Sequence, residues 1–228
     1  MSTIAIVGAG PGLGAAIARR FGREGFAIAL LARNRSRLDD LVTALDGDGL
    51  VVRGYAADVR EPASLKDALE RAGAELGPIG VLAYSPLPQK EFLRPVLETS
   101  VDDLAAAVEF SIYGPVTAVQ HVLHGLRDLG GGSILFANGG SAARPNANVA
   151  GTSIAFAGES AYARMLHDAL AAEHIQVGQL IIPGVITKGH PTHDPDVLAD
   201  KLWYLHTHPE DFRLYAEELP GALEPVGT

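Results

Sequence analysis

Val7-Gly8-Ala9-Gly10-Pro11-Gly12-Leu13-Gly14 lies between a short apolar run, Thr3 to Val7, and a helical pattern that opens near Gly12. The run has the length of a buried strand, and the pattern after it returns apolar residues at three- and four-residue intervals. Glycines at such a junction let the backbone turn tightly and approach a ligand closely, while the free amides of the helix start offer positive partial charge to a pyrophosphate. Gly8, Gly12 and Gly14 give the spacing Gly-x-x-x-Gly-x-Gly; the more general Gly-x-Gly-x-x-Gly fails because Leu13 holds its third glycine position. Strand, glycine turn and helix in this order open a doubly wound α/β fold, with a dinucleotide expected at the carboxyl ends of the strands.

Further short β-rich segments predict strands at Ala27–Leu31, Val51–Ala56, Val81–Tyr84, Ser133–Ala137 and Val177–Ile182. Amphipathic segments between them predict helices starting near Gly12, Arg35, Pro62, Val101 and Ser153, which makes a parallel sheet with crossover helices in a single domain spanning 1–228. After Ile182 come Pro183-Gly184, a histidine-bearing loop and a helix from Pro195 to His206. A substrate loop and cap are expected at about 185–210, and a poorly ordered tail at 218–228.

The segment after the second strand reads Ala32-Arg33-Asn34-Arg35 and has no acidic residue to hold the two ribose hydroxyls of NAD. A guanidinium matches phosphate oxygens in a fork, so Arg33, aided by Arg35, favours NADP(H) over NAD(H).

With Asp58-Val59 after the third strand, Gly132-Ser133-Ile134 entering the fifth and Pro183-Gly184 after the sixth, the chain from Ile4 to Gly184 resembles the short-chain dehydrogenase/reductase family. The resemblance implies a Rossmann-type oxidoreductase whose dinucleotide is held by Gly8, Gly10, Pro11, Gly12, Leu13, Gly14, Arg33, Asn34, Asp58, Val59, Pro183 and Gly184, with Asp58-Val59 at the adenine. It also implies a homodimer or homotetramer joined through the two helical segments Val101–Leu129 and the one after Ser153, both rich in small residues.

Several family positions differ. Tyr84-Ser85-Pro86-Leu87 stands where the family has Asn-Asn-Ala-Gly, and Ser111 stands where an asparagine is expected three residues before Gly114. Counting back from Leu170-Ala171-Ala172-Glu173, the family's tyrosine falls on Phe156 and its lysine on Ser160; a slip of one residue gives Ala155 and Glu159. In the family, that tyrosine exchanges the proton of the carbonyl and alcohol pair, and phenylalanine has none to give. Candidate replacements are Ser141, near the family serine in Asn138-Gly139-Gly140-Ser141, together with Tyr84 and Glu159. Ser153 and Glu159 border the Phe156 face. On a helix four residues advance the face by about 40° and six by about 240°, so Ser160 shares that face and Tyr162 leaves it as a packing residue. Tyr113, His190 and His193 are further donors on paper, but the favoured reading makes the tyrosine a pocket wall and the histidines exposed loop residues.

A formal net charge of −9 with no basic stripe speaks against nucleic acid, and the absence of cysteine removes disulfides and thiolate ligands. His121 with His124, and His206 with His208, lack a third ligand at suitable spacing, so no metal is expected. No apolar run reaches membrane length and the first strand begins at Ile4, so a soluble cytoplasmic protein is expected. The apolar Leu202-Trp203-Tyr204-Leu205 either covers the substrate pocket, the favoured reading, or packs on a partner. The family's last strand is not visible. The expectation is an oxidoreductase that moves hydride between NADP(H) and an apolar carbonyl, imine or activated double bond. The alternatives are a non-catalytic NADP(H)-binding sensor and a non-redox cyclase or lyase on the same scaffold.

Overall fold

β1 (Thr3–Val7) is apolar on both faces because both are covered: Ile4 and Ile6 pack into one core, Ala5 and Val7 into another. β2 (Ala27–Ala32) divides in the same way, Ile28 and Leu30 against Ala29 and Leu31. Strands covered on both sides read as continuous apolar runs, which is why these two stand out in the sequence. The computed structural model describes residues 2–219 and adds β3 (Val52–Ala56), β4 (Ile79–Tyr84), β5 (Gly132–Gly139), β6 (Ile175–Ile182) and β7 (Arg213–Tyr215). All pair in parallel in the order β3-β2-β1-β4-β5-β6-β7. The direction of winding reverses between β1 and β4, where a crevice opens at the carboxyl ends.

The helices are α1 (Leu13–Gly22), α2 (Arg35–Gly47), α3 (Pro62–Leu76), α4 (Val101–Val108), α5 (Gly114–Asp128), α6 (Ala150–Leu170) and α7 (Pro195–Thr207). α1, α2 and α7 bury Phe21, Leu38 and Leu202 in the core that holds Ile4, while α3, α5 and α6 bury Leu69, Val122 and Phe156 in the other. Their starts follow local chemistry. Asn34 accepts from the Arg37 amide to cap α2, Ser100 and Asp103 form a reciprocal capping box on α4, and Pro62 and Pro195 need no donor in a first turn.

Four expectations are corrected. A seventh strand exists: β7 pairs Arg213, Leu214 and Tyr215 with Gln179, Leu180 and Ile181, too short a run to carry an alternating pattern. α7 does not cap the pocket. Its Leu198, Ala199, Leu202 and Leu205 are buried on the α1 side of the sheet, and Trp203 lies against Phe21 and Phe26 with the Arg20 guanidinium 4.4 Å above its ring. The segment Val101–Leu129 is two helices divided by a π-turn at Glu109–Tyr113. α6 begins at Ala150 rather than Ser153, because the Ser153 hydroxyl is already inside the first turn, bonded to the Asn146 amide and carbonyl. Of the expected tail, 220–228 lies outside the described residues.

Candidate functional site

The glycine turn leads directly into the crevice. Gly8 has φ +87°, and a Cβ there would stand 2.2 Å from the Pro86 Cα, so only glycine permits the loop after β4 to lie against the loop after β1. A Cβ on Gly14 would meet the Ala9 backbone at 2.9 Å, so this glycine seats α1 close to the strand end. Gly12 caps α1 with no side-chain partner, so no capping side chain takes the Leu13 and Gly14 amides, while the Ala15 amide donates to the Gly10 carbonyl at 2.9 Å.

The turn forms one wall of a cleft of about 310 Å³ at the ends of β1 to β4. Gly8, Gly10, Pro11, Arg33, Asn34, Asp58 and Val59 all line it, as the sequence predicts. Gly12, Leu13 and Gly14 stand behind as the helix start, and Pro183 and Gly184 lie beyond it, where Pro183 packs beside Gly140 at the β5 and β6 ends. The second cation is a correction. Arg35 turns away to Asp39, 2.9 Å distant, and Arg37, one helical turn on, lines the cleft with Arg33. Neither the Arg33 nor the Arg37 guanidinium has a carboxylate partner among the described residues. Pro86, Leu87, Gln89 and Phe110 complete the opposite wall, Pro86 and Leu87 standing where the family has Ala-Gly.

Tyr84 is a clamp. Gly114 donates its amide to the Glu109 carbonyl, and Pro115 has no amide, so the helix supplies no donor to the Phe110 carbonyl. The buried Tyr84 hydroxyl supplies it instead, at 2.6 Å, passing over Gly114 where any Cβ would lie 2.3 Å from that oxygen. Burial first, and then the negative charges of Glu159 and Asp58, hold this phenol well above its ordinary range. Its proton is engaged in the π-turn, which removes Tyr84 from the candidate donors.

Phe156 is buried, and its ring is the nearest group to a Cβ built on Gly139, at 3.7 Å. Two residues without a polar side chain therefore face each other at the end of β5. Ser160, four residues on, donates to the Ala142 carbonyl at 3.2 Å and accepts from Gln179 at 2.7 Å. Ser141 lies in the short turn Gly140–Ala142, half-buried, and nothing joins its hydroxyl to Phe156. Tyr162 packs at the core margin as expected, with burial pushing its hydroxyl up to about 12. Tyr113 is exposed on the π-turn, and His193 is buried with Nε2 bonded to the Pro183 carbonyl. Of the paired histidines, His124 faces Asp128 and His206 bonds Ser133 at 2.7 Å.

A buried polar chain runs alongside this apolar pair. Arg213 donates to Gln179 Oε1 at 2.8 Å, and Gln179 Nε2 donates to Asn138 Oδ1 at 2.8 Å as well as to Ser160. An arginine can only donate, so it fixes the Gln179 amide, which fixes that of Asn138 and turns the Asn138 nitrogen toward Glu159. Glu159 is 1 % exposed, and neither carboxyl oxygen completes a hydrogen bond. Burial pushes its carboxyl up to about 8, while the Asn138 and Ser111 side chains oppose the rise. Gln179, Asn138 and Arg213 escaped the sequence reading. A glutamine inside the apolar run Ile175–Ile182 was the available signal.

Comparison with known proteins agrees with this architecture. The family model described as short chain dehydrogenase matches residues 2–194. The chain is 31% identical over 170 residues to a Bacillus subtilis 2,3-dihydro-2,3-dihydroxybenzoate dehydrogenase, covering 74% of this chain and 62% of that one. Its matches span about half to two thirds of the length of such curated relatives. A short-chain dehydrogenase from Rhodopseudomonas palustris superposes with a TM-score of 0.84 at 24% identity, over 96% of this chain and 99% of that one. An NADPH-bound short chain oxidoreductase from Pseudomonas aeruginosa, described as containing an atypical catalytic center, superposes with a TM-score of 0.86 at 18% identity over 97% and 98% of the two chains. A family model covering most of the chain, laid on a seven-stranded parallel sheet with its glycine turn in the crevice, makes this protein a member of the short chain dehydrogenase family.

Proposed function

We propose that the chain binds NADP(H) in the cleft and moves hydride between it and a small apolar carbonyl, imine or activated double bond, without a tyrosine and lysine pair. The observation that carries the cofactor preference is the pair of guanidiniums, Arg33 and Arg37, that have no carboxylate partner among the described residues and lie at the ribose end of the cleft. The extra phosphate of NADP(H) would sit between them, the pyrophosphate at Gly10 and the α1 amides, and the adenine against Asp58 and Val59. When bound, the dinucleotide supplies or accepts the hydride. The protein's part is to hold it, to keep water off the reacting face with Phe156, and to offer an apolar rim in Leu87 and Val185, 84% and 80% exposed on the loops after β4 and β6.

The apolar Phe156 and Gly139 favour a second reading, a protein that binds NADP(H) without turnover. Exposed Tyr113, Ile154 and Met165 around α5 and α6 support self-association as a homodimer or homotetramer, and a cysteine-free acidic chain suits the cytoplasm. A screen of NADPH consumption against aldehydes, ketones and cyclic imines separates the readings. Consumption that depends on both partners supports hydride transfer; tight NADPH binding with no consumption supports the binding protein; conversion of a substrate without dinucleotide supports a lyase or cyclase.

A further inference from the structure

Glu159 is the one side chain among the described residues with buried oxygens that no hydrogen bond satisfies. Packing alone does not explain it, because a glutamine or leucine at this position would avoid the desolvation of a carboxyl group. Five elements meet around it. Asn138 comes from the end of β5, with its amide oriented by Gln179 of β6 and Arg213 of β7, and Ser111 comes from the π-turn that Tyr84 of β4 holds in place. Phe156, three residues earlier on α6, shares its helix face and the end of β5.

We propose that Glu159 is the proton store of the site, carrying the acidic proton that Phe156 lacks and passing it through a water molecule to the reacting atom beside Gly139. The inference rests on the hydride-transfer reading. As the substrate carbon of C=O or C=N receives the hydride from NADPH, the π pair moves onto oxygen or nitrogen, and that atom takes the Glu159 proton. The substrate gains two electrons, the dinucleotide loses two, and the carboxylate left behind is reprotonated from solvent. In the reverse direction the carboxylate accepts the proton.

Three other proton-bearing side chains are engaged elsewhere. The Tyr84 proton lies on Phe110, Ser160 donates to Ala142, and His193 is held by Pro183. The groups acting on Glu159 are Asn138 and Ser111, neither of which ionises, and Tyr84 is its titratable neighbour. No lysine, arginine or histidine contributes to its charge balance, so a neutral carboxylic acid is its resting form near neutral pH.

The test compares native protein with Glu159→Gln and Glu159→Asp. Infrared spectra of the dinucleotide-free protein read the acid itself: a protonated carboxyl band present at neutral pH, fading as pH rises through about 8 and absent from Glu159→Gln. NADPH consumption, measured on whichever aldehyde, ketone or imine native protein reduces, reads the role. Glu159→Gln is expected to bind NADPH within about twofold of native and to lose about 10²- to 10⁴-fold in kcat, with Glu159→Asp recovering part of the loss and the alkaline decline in rate. Absence of the band, or a Glu159→Gln variant that turns over like native, overturns the proton store and leaves the oxidoreductase reading standing. A native protein that binds NADPH and reduces nothing overturns that reading, and the proposal with it.

Discussion

Keeping a carboxyl group at 1 % exposure with no completed hydrogen bond works against folding, and the pH at which it does so follows from the Glu159 environment. Its proton affinity rises from 4.5 in the open chain to about 8 in the fold. Below the lower value both states are protonated and the group is neutral to stability. Between the two values the unfolded chain ionises while the folded one does not, so stability falls as pH rises and stops falling above about 8. The loss is of the order of 5 kcal/mol at most, at about 1.4 kcal/mol for each pH unit spanned. Glu159→Gln should therefore unfold at higher urea concentration than native near pH 8 and at a similar one near pH 4, read by circular dichroism across the range. Arg33 and Arg37 support a separate expectation. Replacing both by alanine removes two charge-assisted contacts to the added phosphate, so NADPH affinity should fall about 10- to 100-fold with NADH affinity unchanged, as measured by calorimetry. Arg33 was legible in the sequence as the first residue after an apolar run. Arg37 was not, since its place depends on the Asn34 cap that starts α2 and turns Arg35 outward to Asp39.

The π-turn is the element that gives the site its shape. One missing amide, at Pro115, leaves the Phe110 carbonyl free for Tyr84, and the resulting turn places Phe110 in the cleft wall and Ser111 toward Glu159. Tyr84→Phe leaves that carbonyl buried without a donor and should cost about 1–3 kcal/mol in urea denaturation. Gly114→Ala should cost a similar amount, because its Cβ would stand 2.3 Å from the Tyr84 oxygen and 2.9 Å from the Val59 carbonyl. Tyr113→Phe, whose side chain is exposed, should leave stability unchanged. The sequence offered Gly114-Pro115 as a break in an amphipathic run, but the partner lies 26 residues from Phe110 on a neighbouring strand. Only tertiary structure joins them. Arg213, Gln179 and Asn138 are separated in the same way, brought together by the register of three parallel strands.

Across the whole molecule, the sheet was readable because β1, β2 and β4 are nearly continuous apolar runs and β3, β5 and β6 are short β-rich segments between amphipathic ones. β7 was not, because three residues held by backbone pairing leave no period to read. The apolar Trp203 and Leu205 announced burial but not the face of the sheet on which it occurs, and they went to α1 rather than to the crevice. The glycine turn, by contrast, carried its own geometry: Gly8 is fixed by a backbone contact across the topological switch, and the cleft follows from it. Gly8→Ala should therefore abolish dinucleotide binding and lower stability together, visible as a reduced Tm that NADPH no longer raises. The most direct test of the account is a calorimetric titration of the native protein with NADPH and, separately, NADH. NADPH binding at least tenfold tighter than NADH is the predicted result; equal or tighter binding of NADH would contradict the Arg33 and Arg37 assignment, and binding of neither would contradict the site itself.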